Sequence, residues 1–472
     1  MQALKTIFIL LEVILLFNLL IFVHELGHFL AARWRGLRVD RFAIWFGKPI
    51  WKANIKGVEY ALGWIPAGGY VALPQMAPMD AIEGKTHDSK EPLPNISPLD
   101  KIIVAFAGPL FSFLLAVVFA VIVWGVGRPV KEADKTRTIG WVDVDGPAWK
   151  AGLRPGDTVV EIDGHPIQQW GPSSHESIVW RIVTSEGTNI AFKYLREGRE
   201  QMAYVTPYRR PTKWYERKAM RQVLIAPEQG AIIHDVITNS PAALAGLRSG
   251  DRVVTVNGDR IYSWFAVAQA EEAMTNASAG PVTLGIERGT EKLSVVLRAE
   301  KPMSPADSRP VFGVAAWEDR SSTTLIHPTP WEQVEGSVNQ ITGTLRALFS
   351  RKSDVGVQQL GGAVMIIRVY TNLFEAPDGW RLVLWFSVVM NVNLALLNML
   401  PFPVLDGGHI TLAILEQIRR RPVSGAILNY FQTACAMALI AFMLFIAFFD
   451  TGDWVRSARQ NREQPIVFAP KK

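Results

Sequence analysis

The feature that most constrains this chain is a set of four apolar segments, each close to the length that crosses a lipid bilayer. They cover residues 3–23, 102–125, 382–400 and 426–449. A bilayer core needs about 20 apolar residues in a helix, and only helices or closed barrels satisfy the backbone polar groups there. The sequence therefore predicts a multi-pass α-helical membrane protein with four transmembrane helices.

Basic residues set the predicted orientation. They crowd the link after the first segment and fill the link between the last two: Arg33, Arg35, Arg38, Arg41, Lys48, Lys52, Lys56, Arg419, Arg420 and Arg421. By the positive-inside rule these links are cytoplasmic, which places both termini and the long insertion at 128–380 outside. The first segment is longer than the apolar region of a signal peptide, about 7–15 residues, so we expect it to be retained.

Length, charge and cysteine content exclude several classes of protein. A chain of 472 residues is too long for one hydrophobic core. The net charge of +6 comes from Lys and Arg spread along the chain, with no nucleic-acid module pattern, so we expect no nucleic-acid partner. Because Cys435 is the one cysteine, no intrachain disulfide can form.

The insertion contains an internal repeat. GPAWKAGLRPGDTVVEIDGHPIQQW at 146–170 matches NSPAALAGLRSGDRVVTVNGDRIYSW at 239–264, and the shared glycines lie 94 residues apart (246 − 152). Each copy predicts a short helix, a Gly-Asp turn, a strand (Thr158–Ile162 or Arg252–Val256) and an Asp-Gly or Asn-Gly hairpin turn. This pattern resembles the circularly permuted PDZ domain of bacterial envelope proteases. Such a module would bind a peptide by strand addition, exclude bulky substrates, or be a small β domain that binds no ligand, and the sequence leaves all three open.

The predicted domain boundaries follow from these features. They are a first membrane half at 1–127, PDZ-like α+β domains at 138–228 and 229–302, an amphipathic helix region at 330–375, a second membrane half at 376–450 and a C-terminal tail at 451–472. Both PDZ-like domains are expected to be extracytoplasmic, since they lie in the insertion.

The motif HELGH at 24–28 predicts half of a metal site. His24 and His28 are i and i+4, so on a helix they project from one face and can hold one Zn²⁺ through imidazole nitrogens. Glu25 points aside, where it can take a proton from a water and pass it to the leaving amine. On a soluble helix, a solvated His/Glu face would be the simpler interpretation. Near a bilayer core a charged side chain costs about 2.5–3.5 kcal/mol, which favours a functional role.

A catalytic zinc needs three protein ligands and an open position, so one ligand must come from elsewhere. The stretch NMLPFPVLDGGHI at 398–410 contains two candidate ligands and four residues that break a helix or allow close backbone approach: Asp406, His409, Pro401, Pro403, Gly407 and Gly408. Non-helical backbone at membrane depth is tolerated only where it is buried in protein or lines a cavity. The residues alone favour Asp406 over His409 without deciding between them.

Two further features suggest contacts with a substrate. Asn398 either joins two helices or donates to the substrate backbone or a developing oxyanion. The Gly-rich segment at 60–71 predicts a β-hairpin whose edge could pair with an extended peptide. The alternative for this segment is a loop at the membrane interface.

Taken together, these motifs resemble the site-2 protease family of intramembrane zinc metalloproteases. The resemblance rests on HELGH, the later LDGG, FxxxFG at 42–47, IPAGGYV at 65–71, FAGP at 106–109 and the two PDZ-like repeats. It covers nearly the whole chain, and the combination is more specific than any single motif. Family members usually have Gly at Trp45, Asn at Ser112 and Ser-Gly-Pro at Gly361-Gly362-Ala363.

The resemblance implies specific roles. It makes His24, His28 and Asp406 the zinc ligands and Glu25 the catalytic base, with His409 in a supporting position. Its substrate-binding residues would include three in a membrane-associated β-hairpin and four near LDGG: Gly68, Gly69, Tyr70, Asn393, Asn398, Pro401 and Pro403. It implies cleavage of single-span proteins, of the anti-sigma-factor or remnant-signal-peptide type, in the bacterial inner membrane. The alternative from another class is a catalytically silent, membrane-anchored PDZ scaffold.

Overall fold

The computed structural model describes residues 2–76, 96–172, 174–274, 280–305, 307–317, 323–420, 425–460 and 465–470. The helices are α1 Gln2–Trp34, α2 Pro98–Val126, α3 Glu132–Lys135, α4 Pro147–Lys150, α5 Ile178–Thr184, α6 Pro241–Leu244, α7 Phe265–Ala273, α8 Pro330–Phe349, α9 Ala363–Glu375, α10 Gly379–Asn398, α11 Asp406–Arg419 and α12 Gly425–Gln460. Arg421 of the predicted basic link lies outside the described residues.

The strands are β1 Arg41–Ile55, β2 Val58–Ala72, β3 Arg128–Lys131, β4 Ile139–Val142, β5 Thr158–Ile162, β6 His165–Pro166, β7 Ile190–Arg196, β8 Arg199–Val205, β9 Ile225–Pro227, β10 Ile233–Val236, β11 Arg252–Val256, β12 Asp259–Arg260, β13 Val282–Arg288, β14 Glu291–Leu297, β15 Val314–Trp317 and β16 Thr323–Ile326. Two of the sheets have four strands each, and the other pairings join two strands each: β1 with β2, β3 with β16, β4 with β9, and β10 with β15.

Four helices among the described residues are long and apolar enough to cross a membrane. They cover Ile7–Trp34, Pro98–Val126, Gly379–Asn398 and Leu428–Ala458. This confirms the prediction of a multi-pass membrane protein. The first helix is longer than the apolar segment that predicted it, because α1 continues through HELGH to Trp34. The two histidines therefore share one face of a continuous helix, as the motif requires.

The chain divides into two compact units. The first comprises Met1–Arg128, Ile326–Ile341 and Gly361–Asp450. Within it α2 is central, because it packs against α1, α10 and α11. Its small residues Ala116 and Ala120 are fully buried and let Val388 and Val392 of α10 approach closely. The packing around α2 therefore holds α1, α10 and α11 in one body.

The hairpin of β1 and β2 belongs to this first unit. Its tight turn is at Lys56 and Gly57, which both have positive φ. Residues 41–44 pair with 69–72 on one side and with 59–62 on the other. The segment 69–72 is thus an edge among the described residues. That the hairpin lies in the membrane stays a prediction.

Trp45 interrupts the regular course of β1. Its φ is 67°, in the left-handed region that favours glycine. Its indole N–H donates a hydrogen bond to Asn18 Oδ1 of α1. Glycine would adopt this backbone freely, whereas here a bond to α1 helps to hold it.

The second unit comprises Pro129–Leu325, Thr342–Leu360 and Thr451–Lys472. It contains two four-stranded sheets with the same order, β6-β5-β7-β8 and β12-β11-β13-β14. The predicted strands at Thr158–Ile162 and Arg252–Val256 are β5 and β11. The internal repeat is thus also a structural repeat. The PDZ-like interpretation and the predicted domain boundaries stay predictions.

The aspartate of each repeat has a structural role. Asp157 and Asp251 are each only 1% exposed. Arg196 bonds to Asp157 at 2.7 Å, and Arg288 bonds to Asp251 at 2.6 Å. Burial alone would raise the pKa of Asp251, but the Arg288 guanidinium and the Arg248 backbone N–H hold it below its usual value. The Gly-Asp signature therefore ties a turn to a strand, so it is not free to bind a ligand.

The predicted amphipathic region at 330–375 contains two helices, α8 and α9. The beginning of α8 belongs to the first unit, where Val334 is buried in the same cluster as Ala120 and Val388. Gln333 Nε2 donates to the Ala120 carbonyl at 2.9 Å. The end of α8, from Thr342, belongs to the second unit. One helix therefore contributes to both units.

Candidate metal centre

Three predicted ligand residues come together in the first unit. His24 and His28 Nε2 are 3.3 Å apart. Asp406 Oδ2 is 3.2 Å from His24 Nε2, and its Oδ1 is 3.3 Å from His28 Nε2. Among the described residues, these three side chains form the group of metal-ligating type that lies close enough together to hold one metal ion. Two of the three ligands therefore come from α1, and the third comes from α11.

These separations fit a zinc ion. Tetrahedral ligands at about 2.0–2.1 Å from zinc lie about 3.3–3.4 Å from one another. The three separations here are 3.3, 3.2 and 3.3 Å. Within the described residues, the buried Asp406 Oδ2 accepts no hydrogen bond. The donor set of two imidazoles and one carboxylate is that of a catalytic zinc site with a fourth position left for water or substrate.

Helix α2 orients both imidazoles. His28 Nδ1 donates to the Val104 carbonyl at 2.8 Å, and His24 Nδ1 lies 3.0 Å from Ser112 Oγ. A proton on Nδ1 leaves the Nε2 lone pair free to bind a metal. The Ser112 hydroxyl and the Val104 carbonyl therefore fix the directions of the two imidazole rings. Neither partner is visible from the spacing of the HELGH motif.

Two glycines make room for this arrangement. A Cβ on Gly27 would lie 2.4 Å from the Ala107 carbonyl oxygen, so α1 and α2 can cross this closely only at a glycine. A Cβ on Gly108 would lie 2.2 Å from His28 Nε2, the ligand atom itself. Sterics therefore explain why both positions are glycine. A side chain at Gly27 of HELGH would collide with α2, and one at Gly108 of FAGP would collide with the His28 imidazole.

The non-helical link between α10 and α11 positions Asp406. Helix α10 ends at Asn398, and α11 begins at Asp406, with residues 399–405 between them. A Cβ on Gly407 would lie 2.2 Å from the Met399 carbonyl oxygen, and a Cβ on Gly408 would lie 2.1 Å from that of Phe402. The two glycines therefore let the link fold back on the start of α11, where a carboxylate is also favoured by the helix dipole.

A cavity of about 270 Å³ joins the ligands to the other candidate residues. Glu25 lines it, and so do Gly69, Tyr70 and Val71 of the edge segment. A Cβ on Gly69 would lie 3.3 Å from Glu25 Cγ, so the Glu25 side chain packs close beside the strand at this glycine. A peptide entering this cavity would meet the metal ligands, Glu25 and the strand edge together.

The structure distinguishes among the remaining predicted residues. Asn398 and Tyr70 line the cavity, and Asn398 Nδ2 is 3.4 Å from His24 Nε2. His409 also lines it but is not in the ligand group. The others predicted to bind substrate are not among its lining residues: Gly68, Asn393, Pro401 and Pro403. Their substrate-binding role stays a prediction.

Three contributors to the site were not predicted to support the metal. They are the Val104 carbonyl, the Ser112 hydroxyl and the space left by Gly108. The available signal was that FAGP places a glycine and a proline inside an apolar helix, where polar and small residues mark helix contacts. That signal locates a close contact without identifying its partner.

Comparison with known proteins identifies the family of this chain. The model of peptidase family M50 matches residues 12–444. Regulator of sigma E protease of Haemophilus influenzae is 27% identical over 91% of this chain and 96% of its own length. Protease RseP of Yersinia pestis is 27% identical over 92% of this chain and 96% of its own.

A Vibrio cholerae protein described as a candidate zinc metalloprotease is 27% identical over 87% of this chain and 91% of its own length. Together with the ligand group, these similarities confirm the predicted enzyme class, a zinc metalloprotease, and the predicted cofactor, zinc. The family match covers more than half of the sequence, so the chain belongs to peptidase family M50.

Proposed function

We propose that this protein is an intramembrane zinc endopeptidase that cleaves the transmembrane segments of single-span proteins. The observation that carries the proposal is the position of the ligand group. His24 and His28 lie on a helix apolar enough to span a bilayer, and Asp406 meets them at 3.2 and 3.3 Å. A peptide bond cut at this centre would have to come from a chain inside or at the edge of the lipid.

His24, His28 and Asp406 would hold the zinc. When bound, zinc polarises the scissile carbonyl and lowers the pKa of a water molecule toward about 7. Glu25 would accept the proton of that water and return it to the leaving amine. Ser112 and the Val104 carbonyl hold the two imidazoles with Nε2 turned to the centre.

The edge segment 69–72 would bind the substrate. A transmembrane helix satisfies its peptide groups internally, so it must unwind before it can be cut. An unwound stretch exposes N–H and C=O groups, and the strand edge beside Glu25 would accept them as an added strand. Asn398, which also lines the cavity, would donate to the substrate backbone or to the developing oxyanion.

The names of the relatives suggest the substrate class. Because several of them are named regulators of sigma E, we propose an anti-sigma factor shortened by an earlier cut as one substrate. Remnant signal peptides would be the second. The basic links would face the cytoplasm, so the second unit and both termini would lie outside, in the orientation that the positive-inside rule favours.

Cleavage of single-span reporters in membranes tests the proposed activity. Wild-type protein should cut a reporter in its span, and a zinc chelator should stop the reaction until zinc is restored. Reporters with Gly or Pro in the span should be cut faster, because these residues weaken helices by about 1 and 3 kcal/mol. Rates that do not vary with the helicity of the span would contradict the unwinding step.

A comparison of substrates with and without a folded ectodomain tests whether the repeat region excludes bulky substrates. Wild-type protein should cut only the shortened reporter. A variant that lacks residues 138–300 should cut both, because the obstruction is removed. Cleavage of the shortened reporter by this variant is the control for its integrity. A variant that cuts the short reporter and still spares the long one would eliminate the filter.

A further inference from the structure

The link between β8 and β9 is strongly basic and carries exposed aromatic side chains. Residues 207–222, which we call the basic loop, contain six basic residues and one acidic residue, a net charge of +5: Arg209, Arg210, Lys213, Arg217, Lys218, Arg221 and Glu216. Trp214 is 87% exposed, and Tyr215 and Met220 are also exposed. The basic loop therefore combines dense positive charge with a large exposed aromatic side chain.

The basic loop is attached to the end of a membrane-spanning helix. Arg217 Nε donates to Asp453 Oδ2 at 2.9 Å, and both residues belong to the second unit. Asp453 is in α12, four residues after Phe449, where the apolar run ends (453 − 449). At about 1.5 Å per residue, Arg217 binds α12 only about 6 Å beyond that end. This is the depth of the lipid headgroups, which form a layer outside the hydrocarbon core.

Three cations of the loop take no part in ion pairs within the described residues. Arg209 and Arg221 both pair with Asp354, and Arg217 pairs with Asp453. Three other basic side chains of the loop are exposed and form no ion pair within the described residues: Arg210, Lys213 and Lys218. Arg351 and Lys352, just before Asp354, are exposed as well and add positive charge.

We propose that the basic loop binds the headgroups of anionic phospholipids and holds the second unit to the membrane surface. Lys and Arg are attracted to an anionic surface, and Trp and Tyr prefer the interface between headgroups and hydrocarbon. The loop supplies both kinds of side chain at the depth of that interface. The bond to α12 favours a lipid partner over an acidic protein, because it holds the loop beside the bilayer whatever else is present.

A label in the loop tests the proposal in the full-length protein. Pro211→Cys, in a Cys435→Ala background, would carry a nitroxide in nanodiscs of phosphatidylcholine alone or mixed with phosphatidylglycerol. We expect the label to be shielded from a water-soluble relaxing agent in the mixed nanodiscs and exposed in phosphatidylcholine. Met202→Cys, on an exposed position of β8, should be equally accessible in both.

Charge removal supplies the decisive comparison. Each lost cation should lower the ratio of shielded to exposed label roughly fivefold, which corresponds to about 1 kcal/mol per charge near an anionic surface. The variant Arg210→Ala/Lys213→Ala/Lys218→Ala should therefore lose the shielding. The control Arg252→Ala/Lys292→Ala/Arg298→Ala removes three exposed cations from the second repeat and should keep it.

Three outcomes would overturn the proposal. They are equal accessibility in the two lipid mixtures, shielding that survives in the triple loop variant, and shielding by soluble polyglutamate in phosphatidylcholine that matches the effect of phosphatidylglycerol. The last outcome would identify an acidic polypeptide as the partner. None of these measurements depends on proteolysis, so they are independent of the proposed function.

Discussion

Replacing Glu25 with Gln is expected to abolish proteolysis and to leave zinc bound. Glu25 lines the cavity but is not among the three residues of the ligand group. An amide keeps the size of the side chain and cannot accept the proton, and a general base typically contributes about 10²–10⁴-fold. We therefore expect reporter cleavage to fall by at least about 10³-fold, with one zinc per chain retained when measured by elemental analysis.

Glu12→Gln is the matched control, because Glu12 is on the same helix and outside the cavity. That variant should cleave at close to the wild-type rate. If Glu25→Gln retained full activity, another group would have to be the base. If wild-type protein bound zinc and cut no reporter, the result would favour the alternative of a catalytically silent scaffold over the proposed enzyme.

Replacing Gly108 with Ala is expected to remove zinc from the protein. The added Cβ would lie 2.2 Å from His28 Nε2, so the imidazole or helix α2 would have to move. Displacing a supporting group typically costs about 10–100-fold in metal affinity, and displacement of the ligand atom itself should cost at least the upper value. Competition with a fluorescent chelator would measure the change, and cleavage should be lost in parallel.

Gly125→Ala is the control for this substitution. Gly125 is on the same helix, and a Cβ there would meet nothing within 4 Å. In both variants alanine favours the helix by about 1 kcal/mol relative to glycine, so a loss confined to Gly108→Ala cannot come from an unstable α2. Normal zinc affinity in Gly108→Ala would show that His28 does not bind through Nε2 in the space beside Gly108.

Much of this architecture was predictable because its signals are local. An apolar run of about 20 residues and a histidine pair spaced by one helical turn each depend on a single helix. The repeat was equally visible, and its predicted strands coincide with β5 and β11. The third ligand was predictable only in part, since Asp406 and His409 are both polar residues in the same apolar stretch. The separations of 3.2 and 3.3 Å favour Asp406.

The contacts that orient the ligands were not predictable from one sequence. Ser112 is 88 residues from His24, and Val104 is 76 residues from His28. Such contacts depend on how α1 and α2 cross, which is set by the close approach at Gly27 rather than by any periodic pattern. The division of α8 between the two units was also hidden, because an amphipathic pattern shows an apolar face without showing what covers it.

The division of the ligand group between α1 and α11 has a consequence for biosynthesis. The ribosome makes the histidine pair 378 residues before it reaches the aspartate (406 − 28). Throughout that interval the nascent chain can offer only two of the three donors, so it lacks a complete centre. Assembly of the ligand group thus waits for translation of about the last seventh of the sequence, and a chain abandoned earlier has no complete metal centre.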